Sequence, residues 1–356
     1  MAAPILLAYI AGWQDFSRLP LERDAERLTH ICYAFANIRD GEVVLFTNSE
    51  EAGGQPRAES RIADLVALRG RHPHLKLLIS IGGWSADGFS DAALTAESRA
   101  AFAASAIAFM QQYGFDGIDL DWEYPTHDMA DIKARPEDKA NFTLMLAELR
   151  RQLDALSAAD GRGVHHLLTI AAGAGQYYLD GVEMEAVAAQ CDFVNLMTYD
   201  FYNGWATRAG HHTNLYNTPV DPEGDSCARS VALFTAAGVP RNKLVLGCAF
   251  YGRSLKGVGA AGLGAPGTPK SNGFDSFTLI TELLASGRAV RHWDADAQAP
   301  WLLVDGDTFI SYDDAESIRA KTAFIRSEGL AGGFFWEYTE DETDTLLTTL
   351  WQGLVD

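Results

Sequence analysis

Short apolar runs recur along the chain at residues 5–10, 29–36, 75–81, 115–121, 167–172, 193–198, 244–250 and 331–336. Each has the length of a strand, and turn-forming residues bound most of them. Between several of them lie stretches of helical periodicity, at 59–71, 96–113, 137–156, 182–190, 226–237 and 314–328, and a last one at 342–354 follows the eighth run. Strand alternating with helix predicts a parallel sheet. Eight such units in 356 residues predict a closed (β/α)8 TIM barrel, an α/β fold running over 1–356, rather than an open doubly wound sheet.

The segment between the seventh and eighth runs is too long for one helix. Residues 254–273 are rich in Gly, Ala and Pro, and β-like pieces follow at 277–284, 290–294, 301–304 and 309–312. A structureless loop of that length is uncommon, so a small α+β insertion over 254–311 is expected.

Charge narrows the partners. With 28 basic and 48 acidic residues the net charge is −20, which argues against nucleic acid and anionic membrane and suits a neutral polymer. No apolar run approaches membrane-spanning length. The four cysteines, Cys32, Cys191, Cys227 and Cys248, form no Cys-x-x-Cys pair and read as buried thiols. The start, Met1 to Ile5, lacks the charged and apolar regions of a signal peptide. The histidines lack metal-ligand spacing, and the glycine-rich 262–267 neither follows a strand nor opens a helix. No metal and no cofactor is therefore expected.

The chemistry concentrates in one run. Alternate residues of a strand share a face, so Asp119, Asp121 and Glu123 point one way while Ile118, Leu120 and Trp122 point the other. Asp is poor strand material, and three carboxyls in a row need a reason. Spaced roughly 6.6 Å apart and out of bulk water, they oppose each other's ionisation, so at least one keeps a proton near neutral pH. A protonated carboxyl beside an ionised one is what glycosidic cleavage requires. In a barrel the chemistry sits where strands end. The ends here are polar or aromatic, at Tyr9 to Trp13, Ser80 to Trp84, Met197 to Asp200, Tyr251 to Arg253 and Trp336. Trp13, Trp84, Trp205 and Trp336 fall at such ends or the loops after them, where flat rings can stack on sugars. Trp122 and Trp351 read as packing between barrel and helices.

The spacing Asp116, Asp119, Asp121, Glu123 followed by Tyr124-Pro125 resembles the signature of glycoside hydrolase family 18, the chitinases. The likeness runs nearly end to end. Ser80-Ile81-Gly82-Gly83, Met197-Thr198-Tyr199-Asp200 and Phe250-Tyr251-Gly252-Arg253 are similar to further family motifs, although Ala249 replaces the usual proline. Residues 311–317 look like the exit from the family's insertion domain.

The resemblance implies that Glu123 is the general acid, that Asp121 orients the substrate's N-acetyl group, and that Asp119 shares charge with Asp121 while Tyr9 and Ser80 hydrogen-bond around it. Tyr199 would meet the acetamide oxygen. Asp200 and Met197 would line the same subsite, with Trp336 as its floor. Tyr251 and Arg253 would reach in from the insertion side. Trp84 and Trp205 would serve the leaving sugar, with Trp13 and Phe35 on the other side. The implied reaction is hydrolysis of chitin or chito-oligosaccharides, retaining, with the substrate's own acetamide as nucleophile and an oxazolinium intermediate. A monomer, secreted to meet its substrate, is expected; with no signal peptide read, a trimmed leader, unconventional export and residence in the cytoplasm stay open. An endo-β-N-acetylglucosaminidase acting on glycoproteins and a non-catalytic chitin lectin are the alternatives.

Overall fold

A computed structural model describes residues 3–46, 54–160 and 163–356. Met1 and Ala2, part of the stretch read for a signal peptide, lie outside the described residues. The strands are β1 (Ile5–Ala11), β2 (His30–Arg39), β3 (Glu42–Leu45), β4 (Lys76–Gly82), β5 (Gly117–Asp121), β6 (Leu167–Gly173), β7 (Phe193–Met197), β8 (Leu244–Ala249), β9 (Tyr251–Lys256), β10 (Thr268–Ser276), β11 (Ala289–Asp294), β12 (Ala299–Val304), β13 (Thr308–Ser311) and β14 (Gly332–Trp336).

Strands β1, β2, β4, β5, β6, β7, β8 and β14 are parallel neighbours, and pairing of β1 with both β2 and β14 closes the ring. This is the (β/α)8 barrel that the alternating pattern predicts. Strand parity builds its two layers. On the outer face of β5, Ile118 and Leu120 are fully buried, and Trp122 stacks on Phe89 at 5.2 Å and meets Phe142 edge-on at 5.5 Å. Phe89 and Phe142 belong to the helical layer, so Trp122 is packing. Trp351, in the helix Thr345–Val355, also packs against this layer. The inner layer is smaller and gathers Leu7, Tyr9, Cys32, Leu78, Val245 and Phe334. All four cysteines are buried free thiols.

Two features depart from the sequence pattern. Strand β3 folds back antiparallel on β2 through Asp40-Gly41, both at positive φ, a dipeptide suited to a tight hairpin. Residues expected to be β-like at 277–284 instead form the helix Phe277–Ala285. Ser276 caps it by accepting from the Leu279 N–H, and Phe277 and Ile280, one turn apart, are its buried face. The strands between residues 251 and 311 make a second sheet of antiparallel pairings in the order β10-β9-β13-β12-β11, and the helix Ala315–Glu328 leads from it back to β14.

A buried ion pair fastens this second sheet to the barrel. Asp313, just past β13, accepts from Lys321 Nζ at 2.6 Å, from Ser317 Oγ at 2.7 Å and from the Ala249 N–H at the end of β8 at 3.1 Å. Lys321 also donates to Thr213 Oγ1 at 2.6 Å. Burial alone would lower the Lys321 ammonium, but the Asp313 charge outweighs it and holds it above its ordinary value. Removing one partner of such a pair strands the other charge in a dry site. Asp313→Asn should therefore cost about 3–5 kcal/mol in denaturant unfolding, and adding Lys321→Met should recover most of it. A loss within the range of surface substitutions, about 0.5 kcal/mol, would show that the pair is not a fastening.

Candidate active site

The C-terminal ends of the barrel strands open into a cleft of about 980 Å³. Below its floor lies Asp119 on β5, wholly buried. Its Oδ2 accepts from Tyr9 Oη at 2.8 Å and Ser80 Oγ at 2.7 Å, and its Oδ1 from Thr169 Oγ1 at 2.6 Å and Asn195 Nδ2 at 3.3 Å. The donors come from β1, β4, β6 and β7. Burial raises the Asp119 carboxyl, and these hydrogen bonds pull against that rise. Ser80 is thus under the cleft and does not line it, while Tyr9 reaches both Asp119 and the cleft wall.

Two and four residues on, Asp121 and Glu123 line the cleft. Asp121 is almost fully buried, and its Oδ1 takes no hydrogen bond from any described group. Burial, then the like charges of Glu123 and Asp119, push its carboxyl well up. Burial pushes Glu123 up to about 7, with the Asp200 charge adding to it. The two carboxyls therefore hold protons as a unit into the neutral range. Asp116, first of the acidic series, does not share the catalytic face. Its Oδ2 accepts the Leu77 N–H of β4 at 2.9 Å and pairs with Arg69 at 3.0 Å, so it ties strand to helix.

The Ser80-Ile81-Gly82-Gly83 motif is explained by crowding. A Cβ on Gly82 would lie 2.1 Å from the Asp121 carbonyl oxygen, and one on Gly83 would lie 2.5 Å from the Phe35 ring. Both glycines have positive φ, and the Gly83 N–H donates to that carbonyl at 2.9 Å. Only bare backbone can pass this close to the acidic strand.

Asp200, also at positive φ, organises the insertion side. It accepts from Tyr251 Oη at 2.9 Å and from Arg253 Nε at 2.7 Å and Nη2 at 2.5 Å. His212 Nδ1 stands 3.6 Å behind it. Burial alone would raise Asp200, but His212 and the Arg253 guanidinium outweigh it and hold the carboxyl well below its ordinary range. Arg253 in turn lies over the Tyr251 and Phe274 rings at 5.2 and 5.1 Å. Tyr199 and Met197 line the wall between Asp200 and the acidic strand. Burial raises the Tyr199 hydroxyl well above its ordinary value.

Aromatic rings flank this centre unequally. Trp336 stacks offset on Phe35 at 5.7 Å, and Trp13 meets Phe46, Phe35 and Trp336 at 5.9, 6.0 and 6.2 Å. At the other end Trp84 and Trp205 touch at 5.5 Å but stay 44% and 66% exposed. Beneath them Tyr124 packs on Tyr177 at 5.3 Å.

The structure thus brings the expected residues to one cleft and its floor. It adds Thr169, Asn195, His212, Phe46, Phe274, Tyr177 and Asp225. Thr169 and Asn195 were legible in principle, as lone polar residues inside apolar strands. His212 and the loop residues carry no such signal. Among the described residues no group of His, Cys, Asp and Glu could hold a metal ion, and no helix is long and apolar enough to cross a membrane.

Comparison with known proteins gives a consistent picture. The profile of Glycosyl hydrolases family 18 matches residues 5–341. Chitinase A1 of Niallia circulans is 36% identical over 97% of this chain, which spans 58% of that protein's length. Chitotriosidase-1 of Mus musculus is 31% identical over 96% of this chain and 74% of its own. The solved structure of a glycoside hydrolase family 18 N-acetylglucosaminidase from Paenibacillus barengoltzii is 44% identical with a TM-score of 0.87, covering 98% of this chain and 99% of that one.

The electrostatics can be tested directly. In protein carrying carboxyl-labelled glutamate, the resonance absent from Glu123→Gln should titrate near about 7. Asp200→Asn removes a charge that raises Glu123 and leaves Arg253 uncompensated, so the midpoint should fall. A midpoint at the ordinary 4.5 in the wild type would contradict this account of the site.

Proposed function

Because this chain belongs to glycosyl hydrolase family 18, we propose that it is a chitinase, hydrolysing the β-1,4 bonds between N-acetylglucosamine units of chitin or chito-oligosaccharides. The observation that carries the mechanism is the pair Asp121 and Glu123 on one strand face; among the described residues the other carboxylates lining the cleft are Asp200 and Asp225, and Asp225 stands beside Tyr177 at the end of the cleft, away from the acidic pair. Asp200, on the opposite wall, is engaged by Tyr251 and Arg253. The nucleophile is then the substrate's acetamide oxygen, which forms an oxazolinium ion. The orphaned Asp121 Oδ1 accepts the acetamide N–H and steadies the developing positive charge. Glu123, protonated in the neutral range, gives its proton to the departing oxygen and afterwards takes one from water.

In this reading Asp119 fixes and tunes Asp121, and Tyr199 donates to the acetamide oxygen. Trp336 is the floor beneath the cleaved sugar, and Met197 and Asp200 close the pocket around its acetyl group. Tyr251 and Arg253 hold Asp200 in place. Trp84 and Trp205 take the leaving sugars. A polymeric substrate of this kind is met outside the cell, which favours secretion. Retention of Asp121 and Glu123 with their shifted carboxyls weighs against a non-catalytic lectin.

A second reading is favoured by one observation. The rings of Trp13, Phe35, Phe46 and Trp336 cluster on the non-reducing side, Phe35 stacked on Trp336 and Trp13 edge-on to Phe46, and the coextensive Paenibacillus relative is an N-acetylglucosaminidase. Release of single sugars from the chain end would follow. Product lengths early in chitohexaose digestion separate the two: monosaccharide with an equal amount of pentasaccharide for the second, di-, tri- and tetrasaccharides for the first.

Two outcomes are expected for the chemistry. Glu123→Gln should keep its fold and lose about 10²–10⁴-fold in kcat on chitohexaose, as loss of a general acid does. Proton NMR in the first minutes of wild-type hydrolysis should show the β-anomer at new reducing ends. Initial α-anomer would mean inversion, and the acetamide could not be the nucleophile.

A further inference from the structure

Asp225 stands apart from the machinery described so far. It immediately precedes Ser226, which caps the helix Cys227–Ala236, and its side chain lies in the cleft wall. A Cβ placed on Gly175 would lie 3.4 Å from Asp225 Oδ2 and 2.8 Å from the Tyr177 ring, so carboxylate and ring stand side by side just beyond β6. Tyr177 also packs on Tyr124, the neighbour of Glu123, and feels the charges of both Glu123 and Asp225. Trp84, which reaches Tyr124 at 6.5 Å and Trp205 at 5.5 Å, roofs the same end. Asp225 therefore belongs to the leaving-sugar end of the cleft, away from Trp13 and Phe46.

Its bonding is incomplete. The backbone carbonyl of Asp225 accepts from Asn214, but its half-buried carboxylate takes no hydrogen bond from any described group. Burial raises the carboxyl, Arg229 lowers it and Asp221 raises it. Among the described residues that line the cleft the one guanidinium, Arg253, is already spent on Asp200. A partly desolvated carboxylate without a partner, beside sugar-stacking rings, wants a cationic donor from the ligand.

We propose that Asp225 is a specificity-determining residue that selects a glucosamine unit, through its ammonium group, on the leaving-sugar side, so that the preferred substrate is partially deacetylated chitin. The proposal rests on the reading of the previous subsection, which demands an N-acetyl group only on the sugar whose bond is cleaved. On the leaving side the acetyl group serves no chemistry. There an ammonium makes a charge-assisted bond to Asp225, roughly twice as strong as a neutral one. An acetamide at the same place gives up that charge and sets a methyl group and a carbonyl oxygen near the carboxylate.

The test is digestion of a soluble, half-deacetylated chitin, with the products sequenced from both new ends by mass spectrometry. In the wild type, glucosamine should be enriched several-fold over its share of the polymer within the first two sugars of the new non-reducing ends. Asp225→Asn should bring that share back to the polymer's own, and Asp225→Glu should keep part of the enrichment. Glu223→Gln, which removes one charge from an exposed site in the same loop, should leave it intact. The readout is a ratio within one reaction, so a change in overall rate does not disturb it. Absence of enrichment in the wild type overturns the proposal, as does its persistence in Asp225→Asn, and so does failure to cut this polymer while chitohexaose is cut. The new reducing ends report separately on the underlying reading: they should all be N-acetylated, and glucosamine there would overturn the acetamide mechanism whatever Asp225 does.

Discussion

Asp119 is the constraint around which the barrel interior is arranged. A carboxyl with no solvent access is costly unless its oxygens are satisfied, and here four strands supply the four donors. Tyr9, Ser80, Thr169 and Asn195 must keep their heights along β1, β4, β6 and β7 for the network to close. A one-residue slip in any of these strands would turn its donor outward and leave Asp119 short of a partner. The same network fixes β5, and β5 carries Asp121 and Glu123 to the cleft. Stability and chemistry are thus written on one face of one strand.

The second sheet acts on the site through Asp200. Tyr251 and Arg253 lie on β9, so the sheet inserted between β8 and β14 reaches back to hold a carboxylate on the far wall in its ionised form. That charge contributes to the rise in Glu123. The Asp313–Lys321 pair, at the other end of the inserted segment, keeps β13 and β9 in register with the barrel. Position of the sheet and protonation of the acid are connected by the hydrogen bonds that Tyr251 and Arg253 make to Asp200 and by the charge of Asp200 acting on Glu123.

Much of this was legible in the sequence. Alternation of strand and helix yields the barrel, and period-two alternation separates Asp119, Asp121 and Glu123 from Trp122. Tyr251, Arg253 and Trp336 follow from their positions at strand ends. What was not legible has physical reasons. The stretch 277–284 is apolar enough for a strand, and its helical state depends on the Ser276 cap and on burial of Phe277 and Ile280. The β2–β3 hairpin was signalled by Asp40-Gly41, but its few residues fall below the length at which periodicity speaks. Thr169 and Asn195 acquire meaning only when the ring closes and sets them opposite Asp119. Asp225 lies on a loop and Tyr177 on the five-residue helix Gln176–Asp180, both too short or irregular for a pattern of hydrophobicity to encode.

The unequal exposure of the aromatic rings has an evolutionary consequence. Trp336 and Phe35 are held by neighbours on several sides, so changing either disturbs the packing beneath the reacting sugar. Trp84 and Trp205 are exposed, their ring contacts being with each other and, for Trp84, with the edge of Tyr124. Substitutions of these two rings, and of the Asp225 side chain, carry little folding penalty. Selection can therefore retune which chains the enzyme grips while the acidic strand and its donors stay unaltered, and divergence among relatives should gather on that rim.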